Sequence, residues 1–289
     1  MVETVLQVAV SGLLMGCAYA LVALGFTIVF GVMHVVNFAH GHITMAAMFV
    51  SYCLSRYFGF DPYPAALLIF PLFLIVGALL YRSVVAPMIT ATPAAQMLTT
   101  LGLLIIIENG ANLMFGGDLR AVRSVLGESS LHISGIVVPW TRLTTAGGSL
   151  VAILGVWAFL RFTRFGAEIR AAASNQLGAT LIGIPINRVF LGAFALATAT
   201  AAFAGAMVVP FYLISPFVGY DFMLKAFVIS IIGGLGSVPG AILAGLLIGV
   251  VEALGSFFLT ASYATALVFG MLMVVLLVRP SGLMGSMHP

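Results

Sequence analysis

Apolar stretches long enough to cross a bilayer follow one another along almost the whole chain, and that leaves few folds open. A membrane span needs about 20 apolar residues at a rise of about 1.5 Å each. Segments of this kind are read at 5–30, 38–55, 62–81, 94–115, 146–160, 188–213, 222–235, 240–258 and 262–279. Of the 289 residues 62% are hydrophobic and 7% are charged, whereas a soluble domain carries about 25% charged residues. The mean hydropathy of +1.22 agrees. Such a chain lacks the polar surface that would cover a core in water. The expected fold class is all-α, a polytopic transmembrane helix bundle of roughly eight or nine spans. It is expected to form a single domain over residues 1–289.

The terminal and minor features fit this picture. Met1-Val2-Glu3-Thr4 carries no basic residue. The apolar run after it exceeds the roughly 7–15 residues of a signal-peptide core, so no cleaved signal is expected. A net charge of +3 from so few groups does not suggest nucleic acid as a partner. Cys17 and Cys53 each lie in apolar surroundings and read as small buried hydrophobes rather than a disulfide.

Prolines mark several helix boundaries. Asp61-Pro62 and Thr92-Pro93 read as helix starts, and Arg279-Pro280 as a stop. The stretch 222–258 is interrupted by Gly233-Gly234-Leu235-Gly236-Ser237-Val238-Pro239-Gly240. No regular helix runs through that composition, and the part before it is short for a full span. A broken or re-entrant segment is therefore expected near 233–240. Such a break is tolerated at membrane depth only where protein or water satisfies the backbone. Small residues recur every fourth position at Gly12, Gly16 and Ala20; at Ala193, Ala197, Ala201 and Gly205; and at Ala241, Gly245 and Gly249. These stripes read as flat faces for close helix packing.

Two connections are long and polar, at about 116–145 and at Arg161–Arg188. They lie on opposite sides if 146–160 spans once. With Arg161–Arg188 inside, Arg82, Arg161, Arg164, Arg170, Arg188 and Arg279 face in, and Arg56, Arg120, Arg123, Arg142 and Lys225 face out. That is a weak positive-inside bias. An odd number of spans would then place the N-terminus outside.

Ionisable groups within spans are costly and need a reason. Glu252 and Glu108 are two, neither with a basic partner nearby in sequence. Two readings stand for each: an ion or proton relay, or a hydrogen-bonded helix contact. His34, Asn37, His40 and His42 cluster where the first two segments join. His40 and His42 are two positions apart and would point about 200° apart on a helix, with no acidic or thiol ligand beside them, so no metal site is expected. Asn37 is expected to cap the second helix, leaving a positive dipole end behind it. Hydrolase and metalloprotease motifs are absent. Lys225 is the single lysine and is followed by Ala226, so the phosphate-binding loop of an ATPase cannot be assembled here.

Several blocks resemble one family. They are Gly12-Leu13-Leu14-Met15-Gly16-Cys17-Ala18-Tyr19-Ala20-Leu21; Gly31-Val32-Met33-His34-Val35-Val36-Asn37-Phe38-Ala39-His40-Gly41; Ile231-Ile232-Gly233-Gly234-Leu235-Gly236-Ser237-Val238-Pro239-Gly240-Ala241; and Val278-Arg279-Pro280-Ser281-Gly282-Leu283. In this order they resemble the LivH-type permease subunits of bacterial branched-chain amino acid ABC importers.

The resemblance implies a multi-pass protein of the bacterial inner membrane, itself without an ATPase site. It implies two ATP-binding subunits that hydrolyse ATP with Mg, a second, LivM-like permease chain, and a periplasmic amino-acid-binding protein. It also implies that the 170–184 segment docks into the ATPase. Arg170, Ser174, Asn175, Gln176, Leu181, Gly183 and Ile184 are the coupling residues expected there, against the simpler reading of a solvated connector. Family members carry an Asp and a Glu around positions held here by Asn175, Gln176 and Leu177, which puts an acid-mediated contact in doubt. Asn37, His40, Gly41, Gly233, Gly234, Gly236, Ser237 and Glu252 are the candidates for gating or polar contact along the path. The competing expectations are a permease for amides, urea or other small amino acids, a secondary transporter working through Glu252 or Glu108, and an intramembrane enzyme.

Overall fold

A computed structural model describes residues 1–133 and 135–285. The first half contains α1 (Val2–Met33), α2 (His40–Phe58), α3 (Pro62–Leu80) running through a π turn at Tyr81–Val85 into α4 (Ala86–Met88), and α5 (Pro93–Phe115). A 3₁₀ turn at Val125–Glu128 and the strands β1 (Ser130–Ile133) and β2 (Ile136–Pro139) follow. The second half contains α6 (Trp140–Phe162), α7 (Arg164–Ser174), α8 (Gln176–Leu181), α9 (Ile186–Val208), α10 (Val218–Gly233), α11 (Val238–Phe258) and α12 (Ala261–Val278).

Local chemistry sets the helix starts. The Asp61 carboxylate accepts from the Tyr63 N–H at 3.1 Å, with Pro62 at the first helical position. Thr92 and Pro93 open α5 in the same way. Ser237 caps α11 by accepting from Gly240 N–H at 3.2 Å. Each cap satisfies a backbone donor that the helix itself leaves without a partner.

Glycine stripes bring the central helices together. A methyl group at Gly12 would lie 2.5 Å from the Gly249 carbonyl oxygen, and one at Gly16 would lie 2.9 Å from that of Gly245. In return a methyl at Gly245 would lie 2.7 Å from the Ala20 Cα. The backbones of α1 and α11 therefore touch, and only small residues permit it. The stripe on α9 does the same against three partners. Gly25 of α1 packs on the Ala197 carbonyl, Gly77 of α3 on Ala195, and Gly205 on the Thr44 carbonyl of α2. Thus α1 and α9 are buried along most of their length, whereas α12 exposes nearly all of its own.

The two ends of the bundle are distinct. At one end the Gln7 side chain donates to the Val137 carbonyl, so the start of α1 sits under the β hairpin. At the other end Gly31, near the end of α1, meets Gly236. Arg161 and Arg170 line a cavity there with Gly236–Pro239. The tail closes this second end. Leu283 and Met284 donate their backbone N–H groups to the carbonyls of Ile232 and Gly233, at 2.7 and 3.1 Å, which completes the open end of α10.

The span count of eight or nine is not confirmed, and two further expectations need correction. Seven helices among the described residues are long and apolar enough to cross a membrane, and α2 and α10, at 19 and 16 residues, are not among them. The break expected near 233–240 is real, but it is a tight turn at the bundle end rather than a re-entrant element. Gly234 and Gly236 there have φ of 99° and 85°, which favours glycine. The α10 helix is short because it starts late, after the irregular residues 212–217. Finally, the polar stretch 116–145 is not all loop: α6 begins at Trp140, and Arg142 belongs to it.

Candidate functional site

Four groupings hold the polar residues of the bundle. The first is the break between α1 and α2. His40 Nε2 donates to the Val22 carbonyl at 2.9 Å, and its ring also packs on Gly25. Val22 lies three turns before the end of α1, so residues 34–39 must climb about 16 Å back along that helix. Between the His34 N–H, which still bonds the Phe30 carbonyl, and the Asn37–His40 turn, the backbone is not helical. Val35, Asn37 and Ala39 are buried in this segment. The Thr100 hydroxyl satisfies the Val36 carbonyl at 3.3 Å. Irregular backbone therefore runs within the bundle here, as it does at residues 212–217. Asn37 does not occupy the cap position of α2, which Ala39 holds. Its side chain instead accepts from the Ala39 N–H at 3.1 Å, one turn ahead of the helix.

At the second grouping the starts of α2 and α10 meet. Gly41 packs against the Gly219 carbonyl and Met223, leaving no space for a side chain. The next residue is His42, whose Nε2 donates to Glu108 Oε2 of α5 at 3.0 Å. The Tyr220 ring stands edge-on to the His42 ring, 4.8 Å between centres. His40 and His42 thus face different neighbours, as their helical spacing requires. Among the described residues no three His, Cys, Asp or Glu side chains converge.

The third grouping joins α1, α10 and α11. Lys225 Nζ lies 2.7 Å from Glu252 Oε1 and donates to the Tyr19 hydroxyl at 2.8 Å. The ammonium also sits over the Tyr19 ring, 4.5 Å from its centre. Lys225, counted in the sequence among the outward-facing charges, lies within α10. The carboxylate that pairs with it is one of the two acids that had no basic neighbour in sequence. Both acids found partners on other helices. A lone lysine in an apolar helix was the available signal, because such a cation requires a counter-ion. Below this pair the Thr27 hydroxyl donates to Ser230 at 2.9 Å, tying α1 to α10 again.

The fourth grouping is the connection between α6 and α9. Thr163 caps α7 and Asn175 caps α8 by accepting from Gly178 N–H at 2.8 Å. The 170–184 segment is therefore split between two helices, bent at Asn175. Gln176 Nε2 donates to the Val32 carbonyl at 2.8 Å and lies 3.4 Å from His34 Nδ1. This fixes α8 to the end of α1. Leu177, Leu181 and Ile182 remain 71%, 78% and 77% exposed. Arg170, Ser174, Asn175 and Gly183 are also exposed, and Ile184 is half-buried. Gly183 turns the chain with φ of 89°. Of the 233–240 residues, Gly233 packs on the backbone of Ala241 with 2.6 Å left for a methyl, so its visible task is to let α10 and α11 cross.

Comparison with known proteins places this arrangement. The family model described as "Branched-chain amino acid transport system / permease component" matches residues 8–277. The chain is 31% identical to the high-affinity branched-chain amino acid transport system permease protein BraD of Pseudomonas aeruginosa, over 97% of this chain and 95% of that one. It is 32% identical to the permease protein LivH of the corresponding Escherichia coli system, over the same shares of each. A probable branched-chain amino acid transport permease protein LivH of Methanocaldococcus jannaschii is 27% identical over 92% of this chain and 88% of its own length. No solved structure matches.

Proposed function

Because this chain belongs to the branched-chain amino acid transport system permease family, we propose that it is the membrane-spanning subunit of an ABC importer for branched-chain amino acids. The match along nearly the full length to transport permeases carries this reading. It is a multi-pass protein of the bacterial inner membrane. In the proposed mechanism a periplasmic binding protein delivers the substrate, and two separate ATP-binding subunits hydrolyse ATP with Mg. A second permease chain supplies the rest of the path.

In this reading α2 and α10 complete nine crossings. Each starts within the bundle and leaves it at the opposite end, with the N-terminus outside and the α7–α8 connection inside. The bent α7–α8 pair then receives the ATPase. Its three exposed aliphatic residues form an apolar knob on an otherwise polar connection, which suits a partner's groove rather than water. Gln176 passes motion from that knob to the end of α1, and from there to the 34–39 break. Asn37, His40 and Gly41 are the gating residues of this scheme, with the Gly233–Ser237 turn as a hinge between α10 and α11.

The ion-driven alternative leaned on Glu252 and Glu108 as acids without partners, and both are paired. Uptake of radiolabelled leucine into proteoliposomes containing the whole complex tests the proposal. It should need internal ATP and the external binding protein. Uptake by this chain alone, driven by an ion gradient, would refute it.

A further inference from the structure

The cleft between α10, α11 and α12 has more polar character than a structural ion pair requires. It encloses about 370 Å³ and is lined by Asp221, Lys225 and Glu252, by Ser256, Ser262 and Thr265, and by aliphatic and aromatic groups. Small-molecule sites begin at about 300 Å³. Glu252 and Tyr19 also line a smaller neighbouring cavity with Arg142. Two cations and two carboxylates therefore surround Tyr19 with no net charge.

Asp221 has no ion-pair partner among the described residues and is exposed. It stands in the first turn of α10, where a carboxylate favours water or protein over lipid. The cleft therefore opens towards water or another protein rather than lipid. Its composition fits one ligand class. A free α-amino acid brings one carboxylate and one ammonium. Inserted between Lys225 and Glu252, it replaces one ion pair by two and adds no net charge at membrane depth. Leu224, Val228, Val268 and Phe269 supply an apolar wall for its side chain.

We propose that this cleft is a station on the translocation path that holds a zwitterionic amino acid, its carboxylate on Lys225 and its ammonium on Glu252 and Asp221. This rests on the importer reading above. It adds a preference within that reading: substrates with both charged ends should pass, and analogues lacking one should not.

The test uses the full complex in proteoliposomes. The double variant K225M/E252Q removes both charges together and leaves no orphan. Its leucine uptake should fall at least tenfold. A second variant, T265W, fills the cleft from an exposed position on α12 without touching the ion pair, and should give the same loss. Wild-type uptake of leucine should also exceed that of 4-methylpentanoate, which lacks the ammonium, by tenfold or more when both are loaded on the same binding protein. Leucine uptake within twofold of wild type in T265W overturns the proposal even if the double variant fails to assemble. Absence of ATP-dependent uptake in the wild-type complex would instead refute the importer reading itself.

Discussion

Lys225 illustrates how much one side chain can settle. It is held by Glu252, by the Tyr19 hydroxyl and by the face of the Tyr19 ring. The pair is half-buried, so removing one partner leaves a partly desolvated charge behind and costs stability. The single variant K225M should therefore reduce the yield of folded protein and its melting temperature in detergent. Adding E252Q should restore much of both, and thermal unfolding of the purified variants measures the difference. Gly41 makes the opposite point, since its contribution is the absence of a side chain. A methyl there would meet the backbone of α10, 2.7 Å from the Met223 Cα. G41A should fail to accumulate as a monodisperse protein, whereas a glycine with open space around it, such as Gly102, should accept alanine without effect. Size-exclusion profiles compare the two.

At the scale of elements, the α7–α8 connection carries a separable prediction. L181D places a carboxylate on the exposed knob and touches no core residue. It should leave the permease folded but weaken capture of the ATP-binding subunits at least tenfold, as read by co-purification. Q176A should leave capture intact and lower the uptake obtained per ATP hydrolysed, because the tie between α8 and Val32 is lost. Much of this element was readable in the sequence, as a long polar connection from Arg161 to Arg188 between two spans. The bend at Asn175 was not, because an Asn cap competes with continued helix by only about 1 kcal/mol and packing decides between them. The proline-marked starts at Asp61 and Thr92 were equally legible, being local chemistry. Local composition also located the 233–240 break, yet it could not say whether that break lay at mid-depth or at an end. The partners of Glu108 and Glu252 were invisible for a related reason. His42 and Lys225 lie on other helices, and their approach is set by how glycine stripes cross rather than by spacing along the chain.

For the molecule as a whole, the two ends of the bundle should be chemically distinguishable in a sealed membrane. A cysteine placed at Ser129, near the hairpin, should react with an impermeant maleimide from outside intact cells. One placed at Ser174 should react only after the membrane is opened, once Cys17 and Cys53 have been replaced by alanine. The reverse pattern would invert the proposed orientation. The tail has a different consequence. Among the described residues, the carbonyls of Ile232 and Gly233 accept from the backbone N–H groups of Leu283 and Met284. The end of α10 is therefore finished by a segment some fifty positions further along the chain, so only the folded bundle can close it. Replacing 283–284 with a flexible glycine pair should speed hydrogen exchange at Gly234–Ser237 while leaving the rest of α10 protected.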